Sequence, residues 1–149
     1  MQSLLSNASL PRRSRSRDWA AVRLLVQCVA MLVAVRVALT VIGLTRLRAK
    51  WLPERLPPVE AVPAARLARA VRTASRLVPF ASCLTQAQAA QILLARSGIA
   101  STVCLGVRET AFGGLAAHAW LLLDGRLILG GEPHEIARFR QLAVLGAAP

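Results

Sequence analysis

The fold of this chain is decided by the stretch SCLTQAQAAQILLARSG, residues 82–98. Its apolar residues recur at helical spacing, which predicts an α-helix over residues 82–97. Ser82 is a residue type that caps helix N-termini, and Gly98 is one that ends helices. Cys83 therefore falls in the first helical turn, where free backbone N–H groups and the helix dipole stabilise a thiolate.

A small sheet is predicted after this helix. Apolar runs indicate three strands, at residues 100–107, 117–123 and 126–129. The pair Asp124-Gly125 is a hairpin signature between the second and third strands. We expect residues 108–115 to form a loop and residues 134–145 to form a last short helix.

The N-terminal half is predicted to be helical. Residues 18–52 form one long apolar stretch, and Arg23 and Arg36 bracket only 12 uncharged residues within it. A membrane-spanning helix needs about 20 such residues, so a helix buried against the protein or covered by a partner is favoured. Trp19 and Trp51 flank the stretch, which keeps contact with a membrane surface open.

These segments suggest three parts of the chain. A disordered basic tail is predicted at residues 1–17, a helical region at 18–77 and a catalytic domain at 78–149. Within the helical region, four prolines make residues 53–63 a linker, and residues 64–77 read as a short amphipathic helix.

Composition limits the partners and the compartment. The chain has 149 residues and a formal charge of +12, which favours acidic partners such as an acidic peptide, anionic lipid or nucleic acid. We do not expect nucleic acid, because no aromatic platform accompanies the arginine-rich tail. Three cysteines are too few for a disulfide framework, so a reducing, cytoplasmic location is predicted.

Cys83 and His118 are the candidate catalytic pair. His118 lies at the start of a predicted strand, in Ala-His-Ala-Trp, and an imidazole can take a proton from a nucleophilic thiol. A third group usually orients the imidazole. Glu132 follows the third strand, where the chain can come back alongside His118. Asp124 is at least as well explained by its place in the hairpin turn as by a catalytic role.

The remaining candidates are weak. Cys28 and Cys104 lie in apolar segments and are interpreted as structural. Two histidines and three scattered cysteines give no zinc spacing, so no metal is expected, and no cofactor motif is present.

The region from Val78 onward resembles a known family, the transglutaminase-like cysteine peptidases that remove the leader from lasso-peptide precursors. The order and spacing of short blocks carry the resemblance. These blocks are Val78-Pro79, Cys83-Leu84, Gln88-Ala89, Ile92-Leu93-Leu94, Arg96-Ser97-Gly98-Ile99, Leu105-Gly106-Val107, His118-Ala119-Trp120, Asp124-Gly125-Arg126, Gly130-Gly131 and Phe139 with Leu142.

The resemblance implies an α+β, papain-like fold with Cys83 at a helix N-terminus, packed on a small antiparallel sheet and preceded by N-terminal helices. It implies that Cys83 is the nucleophile and His118 the base. The family usually places an acid after the strand that follows the histidine. Here two glycines occupy that neighbourhood and Glu132 is the nearest acid, so a Cys-His dyad or a role for Asp124 stays open.

The resemblance also implies partners: a precursor peptide, a leader-recognition protein and an ATP-dependent macrolactam synthetase. Because the chain shows no separate leader-binding domain, recognition is expected to come from another polypeptide. Two other functions stay open. One is a membrane-associated protein anchored by the helix at residues 20–45, and the other is a non-catalytic scaffold for a peptide-maturation complex.

Overall fold

The structure is a computed structural model that describes residues 15–58 and 63–146, with side chains from residue 18 onward. Residues 1–14 of the predicted basic tail and residues 59–62 of the predicted linker lie outside the described residues. The elements in chain order are α1 (Arg15–Val41), α2 (Gly43–Trp51), α3 (Ala64–Ser75), α4 (Cys83–Arg96), β1 (Thr102–Glu109), β2 (Leu115–Leu123), β3 (Arg126–Leu129), α5 (Pro133–Ile136) and β4 (Arg140–Gly146).

Helix α4 is the centre of the fold and confirms the predicted helix. The Ser82 side chain accepts a hydrogen bond from the N–H of Thr85, so the predicted cap is formed. The helix packs against α1, α3 and β2 and is buried along most of its length. An alanine-rich helix suits this central place because small side chains let its neighbours approach closely.

Helix α1 contributes one face to the same hydrophobic core. The buried residues Cys28, Leu32 and Val35 follow helical spacing and pack toward α3 and α4. The single helix predicted over residues 18–52 is interrupted, because Gly43 has a φ of +77° and the chain restarts there as α2. By length and composition Asp18–Val41 could also cross a membrane.

The four strands form one antiparallel sheet in the order β3-β2-β1-β4. The β1–β2 register pairs Gly106 with His118 and Val103 with Leu121. Leu121 and Ala119 belong to the core beneath α4, whereas His118 and Trp120 alternate with them along β2. The helices plus this sheet make the α+β arrangement that the sequence predicted.

The predicted last helix at residues 134–145 is wrong. The structure has one short helical turn, α5, followed by strand β4, which pairs with β1. In β4, Ala143 and Leu145 turn inward while Leu142 and Val144 stay exposed. Because apolar residues occupy both faces, the sequence lacks the alternation of apolar and polar residues that identifies a strand.

A polar network ties α2, α4 and β4 together. Arg48 donates to Gln91 Oε1 at 2.6 Å and to the carbonyl oxygen of Gly146 at 2.5 Å. Gln91, fully buried, donates from Nε2 to the carbonyls of Ser101 and Leu145 at 3.0 and 2.7 Å. Burial lowers the pKa of Arg48. This network fixes the edge strand to the central helix.

We predict that Gln91→Leu destabilises the protein by about 2–3 kcal/mol, because it leaves buried polar groups unpaired. The measurement is urea unfolding at equilibrium. Thr40→Ala serves as the control, since it removes only an exposed hydroxyl that donates to the carbonyl of Arg36, and should cost less than about 0.5 kcal/mol. Equal stability of the Gln91→Leu variant and the wild type would contradict this account.

Candidate active site

Cys83 is the first residue of α4 and is half-buried. Ser82 satisfies two of the first amide groups of the helix, since its Oγ accepts from Thr85 N and its carbonyl from Gln86 N. The N–H groups of Cys83 and Leu84 have no partner within the helix. An anion beside this turn therefore meets free amide donors and the positive end of the helix dipole.

His118 lies on β2, at the point where β2 extends beyond its pairing with β3. Its Nε2 is 2.5 Å from the carbonyl oxygen of Gly130. A carbonyl only accepts, so Nε2 carries the proton in this bond and Nδ1 of the neutral ring keeps a free lone pair. The ring also packs against Phe139 at 5.2 Å and lies 6.3 Å from Trp120, centroid to centroid.

The backbone at Gly130 is possible only for glycine. Its φ is +114°, and a Cβ there would lie 2.6 Å from the Cα of Trp120. Real Cβ atoms do not approach backbone atoms so closely, so any side chain would push this segment away from β2. Gly131 has a φ of +115° and continues the same turn. The glycine pair therefore brings a main-chain carbonyl to the imidazole.

Cys83 and His118 line one cavity of about 210 Å³. Gln86 and Ala87 of α4 line it, as do Gly130 and Gly131 of the turn after β3. Among the hydrogen bonds of the described residues none joins the two side chains, so the structure brings them to a shared space without a hydrogen bond between them. Such a space admits a carbonyl group between a thiol and a base.

The two acids named from the sequence lie elsewhere. The backbone N–H of Glu132 donates to Glu135 Oε2 at 3.1 Å, at the start of α5, and no bond joins Glu132 to His118 in the described part of the chain. Asp124 sits in the β2–β3 turn with a φ of +48°, six residues and about 20 Å along the chain from His118. The group at Nε2 is a carbonyl and not a carboxylate.

The structure adds three residues that the sequence did not indicate. Arg72 of α3, Gln86 of α4 and Glu135 of α5 line the cavity. Gln86 is held in place, since its Nε2 donates to the carbonyl of Ala81 at 2.9 Å. No local motif marks these positions. They meet because α3, α4 and the segment after β3 converge here.

The other two cysteines are unsuited to react. Cys28 and Cys104 are free and buried, and burial raises the pKa of both thiols, that of Cys28 to about 11. Both therefore stay protonated near neutral pH. Cys83 is the cysteine that lines a cavity together with a histidine.

Comparison of the sequence with models of known protein families gives a match to one family. The profile described as Transglutaminase-like superfamily matches residues 28–144, most of the chain, from within α1 to β4. Members of this superfamily are typically cysteine peptidases or transglutaminases. Comparisons with curated proteins and with solved structures gave no match. The matched residues include α4, most of the sheet and the residues that line the shared cavity. Because the match covers most of the chain, the chain belongs to the transglutaminase-like superfamily.

Proposed function

We propose that this protein is a cysteine peptidase that removes the leader from a ribosomally made lasso-peptide precursor. The observation that carries the proposal is the shared cavity, with Cys83 at a helix N-terminus and His118 hydrogen-bonded through Nε2. Membership of the superfamily supports cysteine chemistry, and the resemblance of the Cys-Leu and His-Ala-Trp blocks supports the choice of substrate.

In the proposed first step, Cys83 Sγ attacks the carbonyl carbon at the leader–core junction while His118 Nδ1 takes the thiol proton. Free N–H groups at the start of α4 can stabilise the oxyanion. His118 then gives this proton to the departing core amine, and the leader remains as a thioester on Cys83. Water, with His118 as base, hydrolyses the thioester and releases the leader as a carboxylic acid.

The carbonyl of Gly130 is proposed to do what an acid does in a triad. By accepting from Nε2–H it fixes the tautomer and turns Nδ1 toward the thiol side. It carries no full charge, so it orients the ring without strongly stabilising the imidazolium. On this proposal neither Glu132 nor Asp124 takes part in the reaction.

The proposal includes partners. The freed core amine is the group that an ATP-dependent macrolactam synthetase would use for ring closure. A separate leader-recognition protein would bring the precursor to the site, which is consistent with the modest volume of the cavity. The three free cysteines support a reducing, cytoplasmic place of action.

A specific observation favours one further role, contact with a membrane surface. The face of α1 opposite the core carries a stripe of exposed apolar residues at helical spacing. These residues are Trp19, Val22, Val26, Val33, Val37 and Val41. An exposed stripe of this kind is suited to a lipid surface or a partner helix.

Replacing the nucleophile should stop the reaction. We predict that Cys83→Ala lowers kcat/KM by at least about 1,000-fold, because no thioester can form. The assay is mass spectrometry of the precursor peptide with its recognition protein, in water enriched in ¹⁸O. The wild type should place ¹⁸O in the new leader carboxyl, and Cys104→Ala, at a buried thiol, should still cleave.

Full cleavage by Cys83→Ala would rule out this nucleophile. Normal maturation in cells that carry this variant would favour the scaffold. An amide between the leader carboxyl and an added amine, in place of the labelled acid, would point to transglutaminase activity.

Removing the two acids should leave the reaction largely intact. We predict that Glu132→Gln and Asp124→Asn each keep kcat within about threefold of the wild type, whereas His118→Gln loses at least about 100-fold. The measurement is initial cleavage rate together with thermal stability. A loss in Glu132→Gln as large as in His118→Gln, with folding unchanged, would mean that a carboxylate completes the site.

The membrane role predicts that added charge on the outer stripe of α1 weakens lipid binding. Val33→Glu combined with Val37→Glu should reduce cosedimentation of the full chain with anionic vesicles at least about fivefold. Ala65→Glu with Thr73→Glu, at exposed positions of α3, adds the same charge elsewhere and is the matched control. Equal binding by both variants would exclude the stripe as the contact.

A further inference from the structure

The active-site cavity continues along the protein surface beyond His118. A second cavity of about 230 Å³ shares His118 and Glu135 with the first. A third, of about 470 Å³, shares Arg108 and Arg138 with the second. Because they share these lining residues, the three cavities adjoin one another, and together they are called the groove. It extends from Cys83, past His118, to Arg140 of β4.

The distal part of this groove is basic. Arg108, Arg138 and Arg140 line it, and Arg72 lines its start beside Cys83. Two carboxylates face them, Glu109 and Glu135. Glu135 is already engaged, because its Oε2 accepts from the N–H of Glu132. Four guanidinium groups against two carboxylates give the groove a positive potential.

Two of these arginines belong to strands of the sheet, and Arg138 lies in the turn between α5 and β4. Arg140 pairs with Val107 across the β1–β4 ladder, and Arg108 is the next residue of β1. The Arg108 guanidinium lies 5.3 Å from the centroid of Phe139, the ring that also packs against His118. A guanidinium group packed on an aromatic ring, like that of Arg108, can bind a carboxylate in a bidentate manner at a small cost in side-chain entropy.

Resting on the proposed function, we propose that this groove binds an acidic segment of the substrate peptide and thereby sets which precursor is cleaved. The Asp or Glu side chains of that segment would lie along Arg108, Arg138 and Arg140 while the scissile bond lies between Cys83 and His118. The net charge of +12 attracts any anion. An acidic peptide is selected because these arginines line the same groove that begins at the nucleophile, Cys83.

The test uses methoxycoumarin-labelled hexaglutamate and hexaglutamine, titrated at low ionic strength with the full chain carrying Cys83→Ala and followed by fluorescence anisotropy. Hexaglutamate should bind and hexaglutamine should not. The groove triple variant, which adds Arg108→Gln, Arg138→Gln and Arg140→Gln, should bind hexaglutamate at least tenfold more weakly. The control variant adds Arg66→Gln and Arg69→Gln on the exposed face of α3 and Arg76→Gln at its C-cap. It removes the same charge and should change the affinity for hexaglutamate less than twofold.

A second measurement locates the peptide. In the otherwise wild-type chain, hexaglutamate should slow alkylation of Cys83 by iodoacetamide, read by peptide mapping, and the groove triple variant should lose this protection. Equal weakening by the two triple variants, or no protection of Cys83, would overturn the proposal. Because the anisotropy assay needs no turnover, a chain that binds hexaglutamate through the groove yet cleaves no precursor would refute the peptidase and leave the basic, peptide-binding groove standing.

Discussion

The carbonyl of Gly130 reaches His118 only because the chain passes against Trp120 with no side chain between them. A φ of +114° is open to glycine and closed to other residues, so both the approach and the conformation select the same residue. The chain then leads through α5 to Phe139, which covers His118 and Trp120. The orientation of the imidazole, the wall of the cavity and the start of the basic groove all depend on this contact.

A neutral carbonyl in this position changes where the site gets its electrostatic support. A carboxylate would stabilise an imidazolium, whereas a carbonyl mainly fixes the tautomer and the ring plane. On the side of the thiol, by contrast, α4 offers free N–H groups and Arg72 lines the cavity. The fixed donors of the cavity therefore lie at the start of α4, where the proposed oxyanion would form, and not beside the ring.

The elements that could be predicted from sequence are those whose signals are local. Ser82 and Gly98 mark both ends of α4, and Asp124-Gly125 marks the β2–β3 turn. Strand β4 could not be predicted, because its apolar residues face both ways and its partner β1 is distant in sequence. The link from Gly130 to His118 was also hidden, since any residue type supplies a carbonyl and only the packing on Trp120 shows which one is used.

The two surfaces open to partners differ in what they can influence. The arginine groove starts at the cavity that Cys83 and His118 line, so a peptide bound there, as proposed, would have its backbone positioned relative to both side chains. The exposed stripe of α1 lies on a helix whose other face is part of the core. Deleting that helix to test the stripe would remove Leu32 and Val35 from the core and unfold the domain. Point substitutions on the outer face avoid this problem, because they leave the core face of the helix unchanged.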